Sequence, residues 1–430
     1  MKLLGLYWKQ AFRTLKENKL LSVISIAGTG LAIGMIMVMV LTYQMRVKSY
    51  APENNRDRML YVRWGGRLCN GQEYGRAFLS LRTLKECFLP LETPEAIAFI
   101  SPWRTQLVSL PGGQKKKNAL TLFTDPVFWK IFDFDFLYGN PYSQAETEAG
   151  IRKVVIAESV ARRLFGTADA VGKTVLLSYQ PYTVGGVVKD VSTIAKASYA
   201  EVWVPYSTYA FPDEKWAESI TGWFQTIILA ESASDFGAIR DELNNRLARY
   251  NSALKEYKLV LYDQPDTQLE WEIKGAGAIG PDKTTTIVRY VLIIVLLLLV
   301  PALNLSGMTL SRMRKRMAEI GVRKAFGATR GELLLQILSE NMFLTLLGGV
   351  AGLVISYVAV YLMRTWLLGN SFVSITSVFG GTPALSMAEL FNPVIFAYAF
   401  LFCLVLNLLS AGIPALRISG RKIVDSLNEN

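Results

Sequence analysis

Histidine is absent from the 430-residue sequence, and only three cysteines occur. The lack of histidine removes the commonest metal ligand and general base, together with every Ser–His or Cys–His nucleophile arrangement. The sequence also contains no C-x-x-C pair, no H-E-x-x-H motif and no dinucleotide-binding fingerprint. We therefore predict a non-catalytic chain that holds no metal and no cofactor of its own.

One segment resembles a phosphate-binding loop but differs from it in spacing. Residues 165–174 read FGTADAVGKT, in which five residues separate Gly166 from Gly172. The G-x-x-x-x-G-K-[ST] loop has one residue fewer, and this spacing makes successive backbone N–H groups converge on phosphate. We therefore predict that the segment is a surface turn between a helix and a strand, with no nucleotide role.

Long apolar runs, in contrast, are abundant. Hydrophobic residues make up 51% of the chain and concentrate in four blocks. A helix needs roughly 20 apolar residues to cross a bilayer core of about 30 Å, and each block is long enough. The first block has about twice the apolar length of a signal peptide, so we expect it to remain as an anchor. The sequence predicts transmembrane helices at 20–43, 287–310, 333–364 and 393–416.

The distribution of lysine and arginine predicts how these helices are oriented. Basic residues cluster in three segments, at 1–19, 311–332 and 417–430. The segment 365–392 has none. Both termini and the middle loop are therefore expected in the cytoplasm, with 44–286 and the short loop 365–392 on the other side of the membrane.

This topology also explains the net charge of +11. Residues 46–289 carry 30 basic and 28 acidic side chains, so the excess positive charge lies at the inner face of the membrane. Anionic lipid attracts basic residues there, and no basic stripe remains for nucleic acid. Residues 1–19 are expected to form an amphipathic cytoplasmic helix. Its pattern fits either the headgroup region or a protein surface.

Segment 44–286 alternates short strands with short helices and is long enough for two lobes. The fold class predicted is an α-helical membrane protein with four transmembrane helices and a large α+β extracytoplasmic domain inserted between helices 1 and 2. Strands are expected at 59–64, 153–157, 173–178, 182–188 and 200–204, the third and fourth forming a hairpin. Helices are expected at 78–88, 158–165 and 235–250. Cys69 and Cys87 lie in this domain, as a disulfide or as two thiols.

Glycines recur at helical spacing in two of the predicted transmembrane helices. Gly30 and Gly34 form a G-x-x-x-G pattern in the first, and Gly348 and Gly352 thin one face of the third. Small residues at this spacing let helices approach closely. The pattern is compatible with packing inside one chain and with contact across a dimer.

The cytoplasmic loop 311–332 has the composition of a docking helix. A short helix within it would end at Gly327, since glycine readily adopts the left-handed conformation of a helix C-cap. Glu319 near its start and Arg323 and Lys324 near its end match the helix dipole. Composition leaves two alternatives open, a docking helix for another protein and a basic helix at the membrane surface.

Four regions resemble one family of proteins. The loop sequence AEIGVRKAFGATRGEL resembles the E-I-G-[IV]-R-K-A-x-G-A signature of MacB/FtsX-type ABC transporter permeases. The stretches LFTDPVFWKIFDFDFLYGNP, VVIAESVARRLFGTADAVGKTVLL and VGGVVKDV resemble the extracytoplasmic core domain of that family. The opening WKQAFRTLKENKLLSVISIAGTGLAIG resembles its first-helix region, and GIPALRISGRKIVDSL its C-terminal end. Residues 206–285 match none of its motifs.

The resemblance implies a permease subunit of the bacterial cytoplasmic (inner) membrane that binds a separate cytoplasmic P-loop ATPase. ATP would be bound by that partner, and the permease would pair with a second copy or a paralogue. The coupling helix that contacts the ATPase would comprise Glu319, Ile320, Gly321, Arg323, Lys324, Phe326 and Gly327.

In such a permease, ATP-driven movement of the membrane helices reshapes the external domain, a mechanism called mechanotransmission. The work performed would be export of peptides or toxic compounds, lipoprotein release or control of a cell-wall enzyme. Transfer of a substrate to an outer-membrane conduit would require a further periplasmic or outer-membrane partner. The alternative is a membrane-anchored sensor or scaffold whose external domain binds a ligand without any ATPase.

Overall fold

The computed structural model describes residues 19–113, 115–211, 220–275, 284–293 and 330–368, with isolated residues between 295 and 329 and between 394 and 416. Two compact units are present. One comprises Met45–Lys283 with Leu368–Leu385, and the other comprises Met1–Gln44, Thr284–Leu367 and Ser386–Asn430. The main part of the first unit, Met45–Lys283, has nearly the same bounds as the predicted external segment 44–286.

The chain enters the external unit through a long helix, α1 (Lys19–Val47). Fourteen strands follow among the described residues. They are β1 (Met59–Val62), β2 (Gly65–Cys69), β3 (Gln72–Leu79), β4 (Ala96–Ser109), β5 (Lys116–Thr124), β6 (Phe136–Gly139), β7 (Lys153–Ala157), β8 (Thr174–Leu177), β9 (Gln180–Val188), β10 (Val202–Pro205), β11 (Thr221–Gly222), β12 (Gln225–Leu229), β13 (Lys258–Val260) and β14 (Asp266–Thr267).

In the described part of this region, six helices alternate with the strands. They are α2 (Leu81–Thr83, continued by a π-helical turn Leu84–Phe88), α3 (Phe128–Ile131), α4 (Gln144–Glu148), α5 (Glu158–Phe165), α6 (Phe236–Ala253) and α7 (Gln268–Lys274). Short 3₁₀ turns occur at Arg56–Arg58, Tyr206–Thr208 and Ala233–Asp235. The alternation of strands and helices gives the α+β class expected from the sequence.

The strands form two sheets. The larger has the order β14-β1-β12-β4-β5-β10-β7-β9-β6, and β8 pairs with both β4 and β9. Strands β4, β5, β10, β7, β9 and β8 are therefore linked in a closed circuit. Two of its pairs, β5 with β10 and β7 with β9, are parallel. The smaller sheet has the order β11-β3-β2-β13.

Two hydrophobic cores share the strands of the larger sheet. Met59 and Tyr61 of β1 belong to one core, and Leu60 and Val62 belong to the other. Successive side chains of a strand point to opposite faces, so β1 is buried on both sides. The first core contains residues from every strand of the closed circuit, and the second packs against α2 and α6. The sheet thus separates two cores within one unit.

The loop-like segment 165–174 is a surface turn, as predicted. Gly166 ends α5 in the left-handed conformation with φ of +77°, and Gly172 has φ of +79°. Lys173 donates to the carbonyl oxygen of Asp169 at 2.9 Å and lies over the ring of Phe165. These local contacts occupy the lysine that a P-loop would direct at phosphate.

The β8–β9 hairpin differs from the prediction in its turn. The expected turn was 179–181, but the two loop residues are Ser178 and Tyr179, with φ of +46° and +69°. A two-residue loop with both residues left-handed follows the twist of paired strands. Pro181 consequently lies inside β9, opposite Leu176. The pair Ser–Tyr lacks the Asn–Gly signal that normally marks such a turn.

Cys69 and Cys87 are free thiols and form no disulfide. Cys87 is buried in the second core, and this burial raises the pKa of its thiol to about 12. Of the two alternatives that the sequence left open, the structure shows independent thiols.

The other unit contains α1 up to Gln44, α8 (Thr284–Ile293) and α9 (Arg330–Leu368). Within the described residues, two helical stretches have the length and apolar composition to cross a membrane, Ser22–Val47 and Gly331–Met363. They correspond to the predicted spans 20–43 and 333–364. The predicted spans 287–310 and 393–416 lie mostly outside the described residues, so the number of four transmembrane helices stays a prediction.

Candidate functional site

The predicted coupling helix lies mainly outside the described residues, including Glu319, Ile320, Gly321, Arg323 and Lys324. Its last two residues are described. The Phe326 N–H donates to the carbonyl oxygen of Val322 at 3.0 Å, which is a helical hydrogen bond.

Gly327 follows with φ of +94°, the left-handed conformation that the sequence predicts. The Phe326 side chain is 89% exposed at this helix end, which is unusual for a large aromatic group. Helix α9 then begins at Arg330 with a reciprocal cap between Thr329 and Glu332. The segment therefore ends at Gly327 and exposes the apolar side chain of Phe326.

The four glycines predicted to mediate close packing lie against one another within the chain. A Cβ atom at Gly352 would be 2.7 Å from the carbonyl oxygen of Gly30, and one at Gly348 would be 2.8 Å from the Cβ of Thr29. A Cβ at Gly34 would lie 3.4 Å from the carbonyl oxygen of Gly352. Helices α1 and α9 thus approach as closely as their backbones allow.

A second site, which the sequence did not reveal, lies inside the external unit at the C-terminal end of α1. We call it the base cluster, and it consists of Arg46, Tyr50, Glu53, Arg56, Lys196, Gln268 and Glu272. Its centre is an ion pair in which Arg56 Nε donates to Glu53 Oε2 at 2.5 Å. Both residues are only 1% exposed.

Every donor of the Arg56 guanidinium has an acceptor. Nη1 donates to the carbonyl oxygens of Arg46 and Lys48, at 3.3 and 3.2 Å. Nη2 donates to the Tyr50 hydroxyl and to the carbonyl oxygen of Ile194, both at 2.8 Å. The last carbonyls of a helix have no partner inside the helix, and a cation placed there also complements the helix dipole. Arg56 therefore ties the end of α1 to the external core.

Glu53 extends the connection to a distant loop. Its Oε1 accepts hydrogen bonds from the backbone N–H groups of Ala197 and Ser198, both at 3.0 Å, and from the Ser198 hydroxyl at 2.8 Å. The carboxylate thus binds the loop before β10 while it neutralises Arg56. A buried ion pair is tolerated when its remaining polar atoms are also hydrogen-bonded, and this pair meets that condition.

Helix α7 joins the same cluster. The Gln268 amide donates to the carbonyl oxygen of Arg46 at 2.8 Å. Glu272 pairs with Lys196 and lies 3.8 Å from the guanidinium of Arg46. Since α7 is the last described element before residues 276–283 and α8, the cluster links both ends of the external segment to one another.

Burial affects the ionisation of the cluster. It lowers the pKa of Lys196, and the negative charge of Glu272 offsets part of this change. Burial also raises the pKa of Tyr50 well above its usual value, so its hydroxyl stays neutral. Although burial alone would lower the pKa of Arg56, the charge of Glu53 raises it instead.

No group of three or more Cys, Asp or Glu side chains suited to a metal ion occurs among the described residues. The acidic groups of the base cluster are occupied by cations and backbone N–H groups. The arrangement is suited to holding chain segments together.

Comparison with known proteins identifies the class of molecule. Residues 22–246 match the MacB-like periplasmic core domain, and residues 291–423 match the FtsX-like permease C-terminal domain. The first match covers just over half of the chain. The chain therefore belongs to the MacB/FtsX-type permeases, which confirms the resemblance noted in its loop and domain motifs.

Individual relatives are ABC transporter permeases. The chain is 28% identical over 247 residues to the uncharacterized ABC transporter permease YknZ of Bacillus subtilis, covering 56% of this chain and 57% of that protein. It is 24% identical over 305 residues to the macrolide export ATP-binding/permease protein MacB of Escherichia coli K12, covering 70% and 42%. The chain thus spans about half the length of these relatives.

Solved structures of similar proteins are external domains. The extracellular domain of YknZ from Gram-positive bacteria aligns with a TM-score of 0.32 and 16% identity, over 42% of this chain and 88% of that one. The periplasmic region of MacB from Actinobacillus actinomycetemcomitans aligns with a TM-score of 0.33 and 14% identity, over 46% and 88%.

Proposed function

We propose that this permease couples ATP hydrolysis by a separate cytoplasmic ATPase to conformational work on the external side of the membrane. The observation that carries the proposal is the base cluster, in which Arg56 binds the last carbonyls of α1 and Gln268 of α7 binds the same carbonyl of Arg46. A shift of α1 along its axis is then transmitted to the external core, since the Arg56–Glu53 pair at the centre of the joint is buried and its polar atoms are all hydrogen-bonded.

The close packing of α1 on α9 supports the proposal from the membrane side. Helix α9 begins three residues after Gly327, the end of the proposed coupling helix, and its Gly348 and Gly352 contact α1. Movement of the coupling helix by an ATPase would reach α1 through this contact and the external core through the base cluster. ATP itself is bound by the partner, and the permease acts as a dimer with a second copy or a paralogue in the inner membrane, both termini in the cytoplasm.

The work proposed on the external side is export of peptides or toxic compounds, lipoprotein release or control of a cell-wall enzyme. A periplasmic or outer-membrane partner would be needed where a substrate leaves the cell envelope.

The test is to purify the chain from its native membranes in mild detergent, identify the proteins that accompany it and assay ATP hydrolysis. The variant Arg323→Glu/Lys324→Glu should fold and insert but lose the associated P-loop ATPase. Its matched control is Arg162→Glu/Arg163→Glu, which makes the same change of charge on the exposed face of α5 and should retain the ATPase.

Hydrogen exchange in the external domain supplies the second readout. Trapping the ATPase with a non-hydrolysable nucleotide should change the exchange of amides near Ala197 and Ser198 in the parent complex and not in the Arg323/Lys324 variant. A chain that purifies alone and without hydrolysis would instead favour the sensor or scaffold. An ATPase still bound to the variant would contradict the role given to the coupling helix.

A further inference from the structure

A half-buried arginine lies among aromatic rings at the other end of the external unit. We call this site the aromatic seam, and it consists of Ser101, Arg104, Phe123, Tyr209, Phe211 and Trp223. The Cζ atom of Arg104 is 4.8 Å from the ring centre of Trp223 and 5.1 Å from that of Tyr209. Its Nη1 donates to the Tyr209 hydroxyl at 3.0 Å.

Arg104 has no carboxylate partner among the residues that the structure describes. Its contacts there are two aromatic faces and one phenolic oxygen, all uncharged. Cation–π contacts compensate only part of the lost hydration of a guanidinium, since they add about 0.5–2 kcal/mol. Within the described part of the chain, the positive charge of Arg104 therefore has no anion beside it, unlike that of Arg56.

Two neutral donors near Arg104 are also unused. The Ser101 hydroxyl and the Trp223 Nε1–H are buried and have no hydrogen-bond partner among the described residues. Strand β4 pairs Ser101 with Phe123 and Arg104 with Thr121 on either side of an irregularity in register. Since Phe123 and Thr121 are two residues apart on β5, Ser101 and Arg104 lie on the same face of the sheet. Unpaired buried donors are rare and call for an explanation.

The apolar part of the seam lies directly beside these donors. Phe123 contacts Tyr209 and Phe211 with ring centres 4.7 and 5.6 Å apart, and Phe211 contacts Phe224 at 4.9 Å. Tyr209, Phe211 and Trp223 are half-buried. Phe211 packs against both hydrophobic cores, which places the seam on the boundary between them.

The seam and the base cluster occupy opposite ends of the same strands. The base cluster adjoins Met59, whose partner on β12 is Leu229. Arg104 follows Ile100, which pairs with Gln225 at the other end of β12. A molecule bound at the seam would consequently lie at the end of these strands that is remote from the end of α1.

We propose that the aromatic seam binds an organic anion with an aromatic or other flat apolar body. The acidic group of such a ligand pairs with the Arg104 guanidinium and accepts hydrogen bonds from Ser101 and Trp223. The apolar body packs on the edges of Tyr209, Phe211 and Trp223. The site is distinct from the base cluster, and its occupancy requires neither ATP nor an ATPase.

The test uses the full chain in phosphatidylcholine nanodiscs, with empty nanodiscs as the blank, and calorimetric titration of naphthalene-2-sulfonate. Two matched probes separate the contributions: 2-naphthylmethylammonium has the same rings with the opposite charge, and ethanesulfonate has the anion without rings. We expect saturable binding of naphthalene-2-sulfonate and at least tenfold weaker binding of the other two. One charge-assisted hydrogen bond is enough to account for about a tenfold change.

Variants identify the residues responsible. Arg104→Gln should weaken the binding of naphthalene-2-sulfonate by about tenfold or more, whereas Arg104→Lys should retain part of it because the charge remains. The control Arg163→Gln removes one exposed charge from α5 and should bind like the parent. A thermal unfolding scan verifies that each variant is folded, and Arg104→Lys supplies the comparison if Arg104→Gln is not.

Three results would overturn the proposal: no saturable binding of the sulfonate at millimolar concentration, equal binding of the ammonium probe, or unchanged affinity in folded Arg104→Gln. Any of them would make Arg104 a structural contact between the two cores. Because the measurement contains no ATPase, its failure would leave the proposed coupling function unaffected, and the reverse also holds.

Discussion

Removing the charge of Glu53 should destabilise the external unit far more than removing a comparable surface charge. In Glu53→Gln the side chain keeps its size, but Arg56 loses its only anionic partner in the cluster while it remains 1% exposed. Breaking a buried ion pair by removing one partner costs about 3–5 kcal/mol, since an uncompensated charge stays buried.

The structure places the expected cost at the lower end of this range. Arg56 keeps four neutral acceptors, namely the carbonyl oxygens of Arg46, Lys48 and Ile194 and the Tyr50 hydroxyl. Glutamine also retains one oxygen for the N–H groups of Ala197 and Ser198. We therefore expect a loss of about 3 kcal/mol, which for a unit of this size lowers Tm by roughly 6–12 °C.

The matched control is Glu95→Gln. Glu95 pairs with Arg58, two residues from Arg56, but the side chains are 45% and 28% exposed. Exposed pairs contribute about 0–1 kcal/mol, so its Tm should fall by no more than about 4 °C. The assay is thermal unfolding of the full chain in nanodiscs, followed by the near-ultraviolet signal of the external unit. Equal Tm losses in the two variants, or an unchanged Tm in Glu53→Gln, would refute the reasoning.

Two further predictions concern other parts of the molecule. Gly352→Ala should lower the thermal stability of the α1–α9 contact by about 1–3 kcal/mol, because its Cβ would lie 2.7 Å from the carbonyl oxygen of Gly30; Gly28→Ala, with open space around its Cβ, should not lower it. Burial raises the pKa of Asp125 to about 7, so the folded state holds this proton more tightly than the unfolded state does. Its stabilising effect is complete below the unfolded pKa of about 4 and is lost as pH rises through 7, which amounts to about 2–3 kcal/mol between pH 5 and pH 8. Denaturant unfolding should show this loss in the parent and not in Asp125→Asn, which keeps the oxygen for the N–H groups of Phe99 and Phe128; a parent stability that does not fall over this range would contradict the assignment.

Local sequence patterns were sufficient for much of the external fold. The strand Lys153–Ala157 and the helix Glu158–Phe165 have the bounds predicted from the sequence, because a β-branched apolar run is followed by an amphipathic segment and a C-cap glycine. The hairpin turn was predicted at 179–181, but the loop consists of Ser178 and Tyr179, because these residues adopt a conformation that their side chains do not favour. Here the pairing of the strands overrides local preference.

The base cluster could not be predicted from the sequence, because its contacts join positions far apart in the chain. Glu53 and Arg56 look like an ordinary i,i+3 surface pair within a polar loop. Only the fold brings Ile194 and Ser198, 138 and 145 residues away from their partners, to the same point. Sequence patterns relate residues that are close to one another in the chain, whereas the burial of this pair depends on loops from three distant parts of the chain.

Arg56 and Arg104 show why residue type alone does not assign a role to an arginine in this domain. Both are at least half-buried and both contact a tyrosine, yet all five donors of Arg56 have acceptors that include a carboxylate, whereas Arg104 meets only neutral groups among the residues described. A satisfied buried cation fixes the position of the segments that surround it, because any displacement breaks several hydrogen bonds at once. A cation without an anionic partner gains most from a ligand that supplies one. The two arginines therefore suit opposite tasks, Arg56 holding the end of α1 and Arg104 receiving a ligand at the far end of the same sheet.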